Sequence, residues 1–122
     1  MARYRLSRLA EADLAYIIAT SAERWGADAA RRYAALLAAA MRKVADDPQA
    51  PSTRARSELR PGVRSCHIRH ARADMPEPRV RRPTHVLYYR SLTPGLIEIG
   101  RVLHERMEPS RHLGTDTADE ER

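Results

Sequence analysis

The chain has few of the residues that build disulfide frameworks, metal centres or membrane spans. Its 122 residues include one cysteine, Cys66, which excludes an internal disulfide and a multi-cysteine zinc site. The five histidines show no zinc-ligand spacing, so no metal and no other cofactor is predicted. No apolar run approaches the roughly 18 residues that a membrane span needs. The first residues become polar too early for a signal peptide, and we expect a cytoplasmic protein without a membrane partner.

Lysine is almost absent, although the chain is strongly basic. The formal net charge is +6, carried by 21 arginines and the single Lys43. Such a charge is typical of a protein with an acidic partner, whether nucleic acid, ribosome or protein. Because an arginine and alanine bias also arises in GC-rich genomes, the total charge alone does not indicate nucleic-acid binding. The distribution says more: nine arginines and three acids lie between residues 54 and 82, and four acids lie in residues 116–122.

The hydrophobic pattern predicts one α+β domain over residues 1–113, followed by a disordered acidic tail over residues 114–122. Residues 2–6 alternate like a strand, and Ser7 is a candidate helix cap. A first helix then runs to Gly26, with an apolar face formed by Leu14, Ile17, Ile18, Ala22 and Trp25. A second helix ends at residues 46–48, and its apolar positions are Tyr33, Leu36, Leu37, Ala40, Met41 and Val44. Two helices joined by so short a break should form an antiparallel hairpin.

The second half of the chain predicts an antiparallel meander of three strands. We expect a loop at residues 49–56, strands at 63–70, 84–90 and 96–103, and a short helical element within 105–113. The order is therefore β-α-α-β-β-β in one antiparallel sheet, with the helix hairpin on one face of the sheet and the last strand in its interior. Trp25 and Cys66 are expected in the core. Tyr88 and Tyr89 should point to opposite faces, so at most one of them is expected in the core.

Seven short segments in this order resemble the ParE/RelE toxin superfamily of type II toxin–antitoxin systems. They are YRLS at residues 4–7, DL at 13–14, RWG at 24–26, LRPGVR at 59–64, LYYR at 87–90, RVLHERM at 101–107 and RHL at 111–113. The resemblance covers nearly the whole chain and implies the two-layer fold already predicted. It departs from similar toxins at residues 69–84, where an insertion rich in proline and arginine replaces a short hairpin. This insertion forms either a longer hairpin loop or an altered partner surface.

The resemblance leaves two functions open. RelE-like toxins cut messenger RNA on the ribosome, and the residues that could serve this chemistry here are Arg64, Arg90, Arg101 and His104. The sheet carries no lysine, however, and no tyrosine follows Tyr89. ParE-like toxins block DNA gyrase without catalysis, and the RWG, LRPGVR and RVLHERM segments look more like this branch. We therefore favour a ParE-like gyrase inhibitor that is not an enzyme. A third possibility, an inactive component of a repressor complex, lacks any recognition-helix signature for direct DNA reading.

The ParE-like interpretation implies a ParD-like antitoxin with an acidic C-terminal segment, which would wrap the toxin as a helix in a groove and an added strand. The candidate antitoxin contacts are Leu14, Ile18, Trp25, Tyr33, Leu37 and Met41. The candidate target contacts are Arg64, Arg101, His104, Arg106 and Arg111. Two of the target contacts also have a structural interpretation: Arg101 could pair with Glu98 or Glu105, and His104 could be a hydrogen-bonded residue near a strand end.

Overall fold

Five strands form one mixed sheet within residues 2–113, the part of the chain that the computed structural model describes. The elements in chain order are β1 (Arg3–Leu6), α1 (Arg8–Trp25), α2 (Ala27–Asp46), β2 (Arg54–Ala55), β3 (Arg64–His67), a 3-10 helix (Ile68–Asp74), β4 (His85–Thr93) and β5 (Leu96–His104). The strand order is β1-β5-β4-β3-β2. The two-layer α+β fold and the interior position of β5 are confirmed. Neither α1 nor α2 has the length and apolar character needed to cross a membrane.

Three details of the predicted sheet are wrong. β1 runs parallel to β5, not antiparallel, because no local pattern encodes the relative direction of strands so distant in sequence. The predicted loop at 49–56 contains the two-residue strand β2, which pairs with β3. The strand predicted over 63–70 ends at His67, whose Nδ1 accepts the Arg69 N–H at 3.1 Å and caps the 3-10 helix. The insertion is therefore partly helical and is no simple extension of a hairpin.

The helix hairpin begins and turns at residues suited to those positions. Ser7 caps α1 because its Oγ accepts the N–H of Ala10 at 3.0 Å, while its hydroxyl donates to Gly100 O at 2.7 Å. Gly26 joins the two helices with a φ of 93°, a backbone conformation that only glycine adopts without strain. Its N–H donates to Ala22 O at 2.9 Å, and its own carbonyl accepts from Ala30 N at 3.1 Å.

The main core lies between the sheet and the helix hairpin. α2 contributes a buried stripe at helical spacing, whereas α1 buries only Ala10 and Ile17. The facing strand residues are Cys66, Leu87, Tyr89, Ile97, Ile99 and Val102. The core position predicted for Cys66 is confirmed, and burial raises the pKa of its thiol.

A second, smaller cluster covers part of the opposite sheet face. It consists of Val63, Tyr88, Leu103 and Leu113. Leu113 reaches this face from a helical turn at residues 110–113, which confirms the predicted C-terminal helical element. Tyr88 and Tyr89 do point to opposite faces, but both are buried, so the prediction that at most one lies in the core is wrong. The predicted tail at residues 114–122 lies outside the described residues.

Trp25 is the clearest error among the predicted core residues, since 73% of it is exposed. It is the last residue of α1, where helical periodicity continues but no sheet side chain packs against it. We predict that Trp25→Ala changes the free energy of unfolding by less than about 1 kcal/mol. Leu37→Ala, at a position only 1% exposed, should cost about 2–5 kcal/mol through lost burial and a cavity. Urea denaturation of both variants tests this, and a larger loss for Trp25→Ala would contradict the fold.

Candidate functional site

Asp13 ties α1 to β5 beyond the point where β1 ends. The last pair between β1 and β5 is Leu6 with Ile99, so the next residues of β5 have no strand beside them on that edge. Asp13 replaces the strand: its Oδ2 accepts the Val102 N–H at 2.9 Å. The same carboxylate accepts two bonds from Arg101, Nε to Oδ2 at 2.8 Å and Nη2 to Oδ1 at 2.9 Å. The side chains of Asp13 and Arg101 are only 14% and 13% exposed.

The structural role considered for Arg101 is therefore realised, but with Asp13 and not with Glu98 or Glu105. Glu98 instead serves two other arginines. It pairs across the sheet with Arg5 of β1 and Arg90 of β4, because all three residues share one register line. Its carboxylate lies 3.3 Å from Arg5 Nε and 3.6 Å from Arg90 Nη2, while Glu98 itself is buried. Two flanking cations offset the cost of burying this charge.

Arg64 fastens the loop after α2 to the sheet. Its Nε donates to Pro48 O at 3.1 Å, and its Nη2 donates to Thr53 Oγ1 at 2.8 Å. The Tyr89 hydroxyl donates to the same Pro48 carbonyl at 2.6 Å. Tyr89, the last tyrosine of the chain, therefore has its hydroxyl bound to a backbone carbonyl inside the fold. Burial raises the pKa of this hydroxyl.

Three histidines gather where β3, β4 and β5 meet the second helix. The backbone N–H of Thr84 donates to the Tyr33 hydroxyl at 3.1 Å, and that hydroxyl lies 2.6 Å from His85 Nδ1. The His85 ring meets the His104 ring edge to face at 5.5 Å. Burial first, and then the neighbouring His104 and His67, lower the pKa of His85 to about 4. His85 is therefore neutral at pH 7, and its Nδ1 accepts a hydrogen bond from the Tyr33 hydroxyl.

His67 and His104 complete this cluster with different partners. His67 Nε2 donates to Glu105 Oε1 at 2.7 Å, and this bond lowers the pKa of Glu105. His104 Nδ1 accepts the Arg106 N–H at 3.1 Å, so the hydrogen-bonded role considered for His104 is confirmed. Within residues 2–113, no three histidine, cysteine or acidic side chains are arranged to hold a metal ion.

The predicted target residues do not converge on one site. Arg64, Arg101 and His104 bind different intramolecular partners, while Arg106 and Arg111 are exposed. Arg90, a candidate only for the RelE-like alternative, pairs with Glu98. The predicted antitoxin residues are also divided. Leu14 and Ile18 are half-buried on α1, and Trp25 is exposed at its end. Tyr33 belongs to the histidine cluster, and Leu37 and Met41 lie in the core, which removes them from the accessible surface.

Sequence reasoning missed Asp13, Glu98 and the cluster of Tyr33 with His67 and His85. Asp13 stands in the DL segment of the family resemblance, but its only physical signal is an acid in the first half of a helix, which is common at any helix N-terminus. Glu98 is more visible, since it interrupts an otherwise apolar strand. A charge at such a position requires partners on neighbouring strands.

Comparison with known proteins identifies the family. The family model described as "ParE toxin of type II toxin-antitoxin system, parDE" matches residues 4–109. The chain belongs to the ParE toxin family. It is 35% identical over 111 residues to Toxin ParE1 of Mycobacterium tuberculosis, covering 91% of this chain and 97% of that protein. It is 36% identical over 115 residues to Toxin ParE1 of Caulobacter vibrioides, covering 93% of this chain and 100% of that protein.

A solved structure agrees with the fold. A chain of the chromosomal ParDE toxin–antitoxin system from P. aeruginosa superposes with a TM-score of 0.62 at 18% identity, covering 85% of this chain and 96% of that one. The predicted ParE branch of the superfamily is therefore confirmed. The chain is a ParE-type toxin of a type II toxin–antitoxin system.

The pair of Asp13 and Arg101 should be a large contributor to stability. Arg101→Ala leaves a nearly buried carboxylate without its cation, and we expect a loss of about 3 kcal/mol in the free energy of unfolding. Arg106→Ala is the matched control, because Arg106 is exposed, and it should change stability by no more than about 0.5 kcal/mol. Chemical denaturation measures both. Equal effects of the two substitutions would contradict the role assigned to Asp13.

Burial of neutral His85 predicts a loss of stability in acid. Because its folded pKa of about 4 lies below the unfolded value of 6.5, the unfolded chain binds a proton first as the pH falls. The free energy of unfolding should decline from about pH 6.5 towards pH 4. Between about pH 7 and pH 5, wild type should lose about 1 kcal/mol more than His85→Gln, allowing for solvent screening of a partly exposed ring. Parallel curves in urea denaturation at both pH values would contradict it.

Proposed function

We propose that this chain inhibits DNA gyrase by binding it, and that a ParD-like antitoxin neutralises the inhibition. On this proposal the toxin acts through a complementary surface, and none of its own side chains carries out a chemical step. Family membership supports a toxin–antitoxin role. The arrangement of the arginines supports binding over RNA cleavage.

The observation that carries the proposal is that the three arginines of the nuclease alternative, Arg64, Arg90 and Arg101, make structural contacts within the fold. Cleavage of RNA through its own 2′-OH needs a base, an acid and a cation available to the scissile phosphate. Arg101 is held by Asp13, Arg90 by Glu98 and Arg64 by the Pro48 carbonyl. Releasing any of them to a phosphate would break a structural contact. A gyrase-binding surface makes no such demand.

The two remaining residue types of the nuclease alternative are also engaged elsewhere. Lys43 lies on α2 and donates to Asp74 Oδ2 at 2.9 Å, away from the sheet strands. The Tyr89 hydroxyl is bound to Pro48 O under the hairpin. These contacts leave the chain without the lysine and C-terminal tyrosine that the endoribonuclease branch uses, which favours the gyrase-binding branch.

Surface features support antitoxin binding. On α1, Leu14 and Ile18 are half-buried, and the large side chains of Tyr16 and Trp25 are 72% and 73% exposed. β1 lies at the end of the strand order, where its outer edge can accept an added strand. A net charge of +6 favours an acidic partner segment.

Purified gyrase provides the direct test. Titration of the toxin into a supercoiling reaction should abolish supercoiling and accumulate cleaved DNA, and preincubation with the antitoxin should restore the activity. A parallel reaction with translating ribosomes should leave messenger RNA intact. Unaffected gyrase, together with ribosome-dependent cleavage that Arg101→Ala abolishes without unfolding the protein, would replace the proposal with the endoribonuclease alternative.

A further inference from the structure

A groove of about 250 Å³ separates the first half of α2 from the insertion. Its floor is apolar, with Leu36 from the helix and Met75 and Val80 from the insertion. Met75 and Val80 also pack against the main core, so the floor is continuous with the folded interior. Pockets that hold drug-sized ligands have volumes of roughly 300–1,000 Å³. This groove is suited to one or two side chains of a peptide and not to a cofactor.

Hydrogen bonds within the insertion hold the outer wall of the groove in place. Arg72 Nε donates to Val80 O at 2.5 Å, and Arg79 Nε donates to Met75 O at 2.8 Å. The two bonds join the beginning and the end of the segment that forms the wall. Lys43 of α2 donates to Asp74 Oδ2 at 2.9 Å and to His70 O at 3.2 Å, which attaches the preceding 3-10 helix to α2. A wall fixed in this way reduces the entropy lost when a partner binds.

Arg32 is the unusual residue of this groove. Arg31 pairs with Asp28, Arg79 with Glu77, and Arg72 with a carbonyl, so each of these arginines has an acceptor within the fold. Arg32 is half-buried and lines the groove, yet its guanidinium has no hydrogen bond or ion pair with any residue between 2 and 113. A guanidinium offers five N–H donors in a planar fork that matches a carboxylate. Beside an apolar floor, these donors can bind a carboxylate of a partner.

We infer that the groove receives an acidic, amphipathic segment of the antitoxin, with a carboxylate on Arg32 and a neighbouring apolar side chain on Met75 and Val80. The inference rests on the antitoxin binding proposed above and assigns it a second contact surface, built by the insertion. The groove's ionised lining consists of four arginines and two acids, so it carries a net positive charge of two. This charge complements an acidic segment.

Other occupants fit the groove less well. A phosphate backbone has no apolar side chain to place on the floor formed by Leu36, Met75 and Val80. A second copy of this chain carries a charge of +6 and would be repelled by the same arginines. An acidic peptide with apolar side chains satisfies both the charge and the floor.

The test is a binding titration of the full-length toxin with its full-length antitoxin, using Arg32→Gln and Arg32→Glu. The matched control is Arg42→Gln, an exposed arginine on the same helix outside the groove. We expect Kd to rise about tenfold for Arg32→Gln and about a hundredfold for Arg32→Glu, with no change for the control. Because the Arg32 guanidinium has no partner between residues 2 and 113, circular dichroism and Tm should be unchanged in all variants.

Charge reversal on the antitoxin then locates the contact. Among Asp→Lys and Glu→Lys variants of the antitoxin, one should restore tight binding to Arg32→Glu and weaken binding to wild type. If both Arg32 variants bind the antitoxin as tightly as the control does, the groove inference is overturned while antitoxin binding stands. Normal antitoxin binding with lost gyrase inhibition would assign the groove to gyrase and also overturn it. If wild-type toxin itself fails to bind the antitoxin, the proposed function fails first.

Discussion

The carboxylate of Asp13 is the contact on which the arrangement of helices and sheet depends. α1 buries few side chains of its own, so burial alone attaches it to the sheet weakly. Asp13 supplies the acceptor that β5 lacks after β1 ends, and it neutralises Arg101 at the same point. One short side chain thereby completes a strand edge, compensates a nearly buried cation and positions the helix. Removing it would take the acceptor from the Val102 N–H and the counter-charge from Arg101 together, which is more costly than losing either contact alone.

Arginine has the same structural use elsewhere in the molecule. Arg5 and Arg90 flank the buried Glu98, and Arg64 holds the loop after α2. A guanidinium suits this work because several donors in one plane can satisfy a carboxylate or a carbonyl and a hydroxyl together. The net charge of +6 is therefore weaker evidence for nucleic-acid binding than its magnitude suggests. Arginines without an acceptor inside the fold supply the positive charge that is available to partners. Within the described residues, Arg32 is the half-buried example that lines a groove.

The exposed and half-buried side chains divide the surface into regions with different uses. Tyr16 and Trp25 present exposed aromatic surface on the helix hairpin, which a partner helix could bury. The insertion adds a concave, positively charged site on the other helix. The histidine cluster around Tyr33 and His85 contributes to stability, because its bonds are internal and its central ring is neutral at pH 7. The function proposed above needs complementary surfaces and no reactive centre.

The sequence by itself determined the order of the two α-helices and the four longer strands, the helix boundaries at Ser7 and Gly26, and the α+β layers, because these depend on local spacing and backbone preference. It also carried the family, through short segments distributed along the chain. Only the tertiary structure decided that β1 runs parallel to β5, that Trp25 is exposed while Tyr88 and Tyr89 are both buried, and that Arg101 pairs with Asp13. Each of these depends on what lies opposite a residue across the fold, and periodicity describes the face of an element without saying what covers it. The same reason separates Arg32 from the arginines that are paired within the fold: identical in sequence terms, they differ in whether the fold supplies an acceptor.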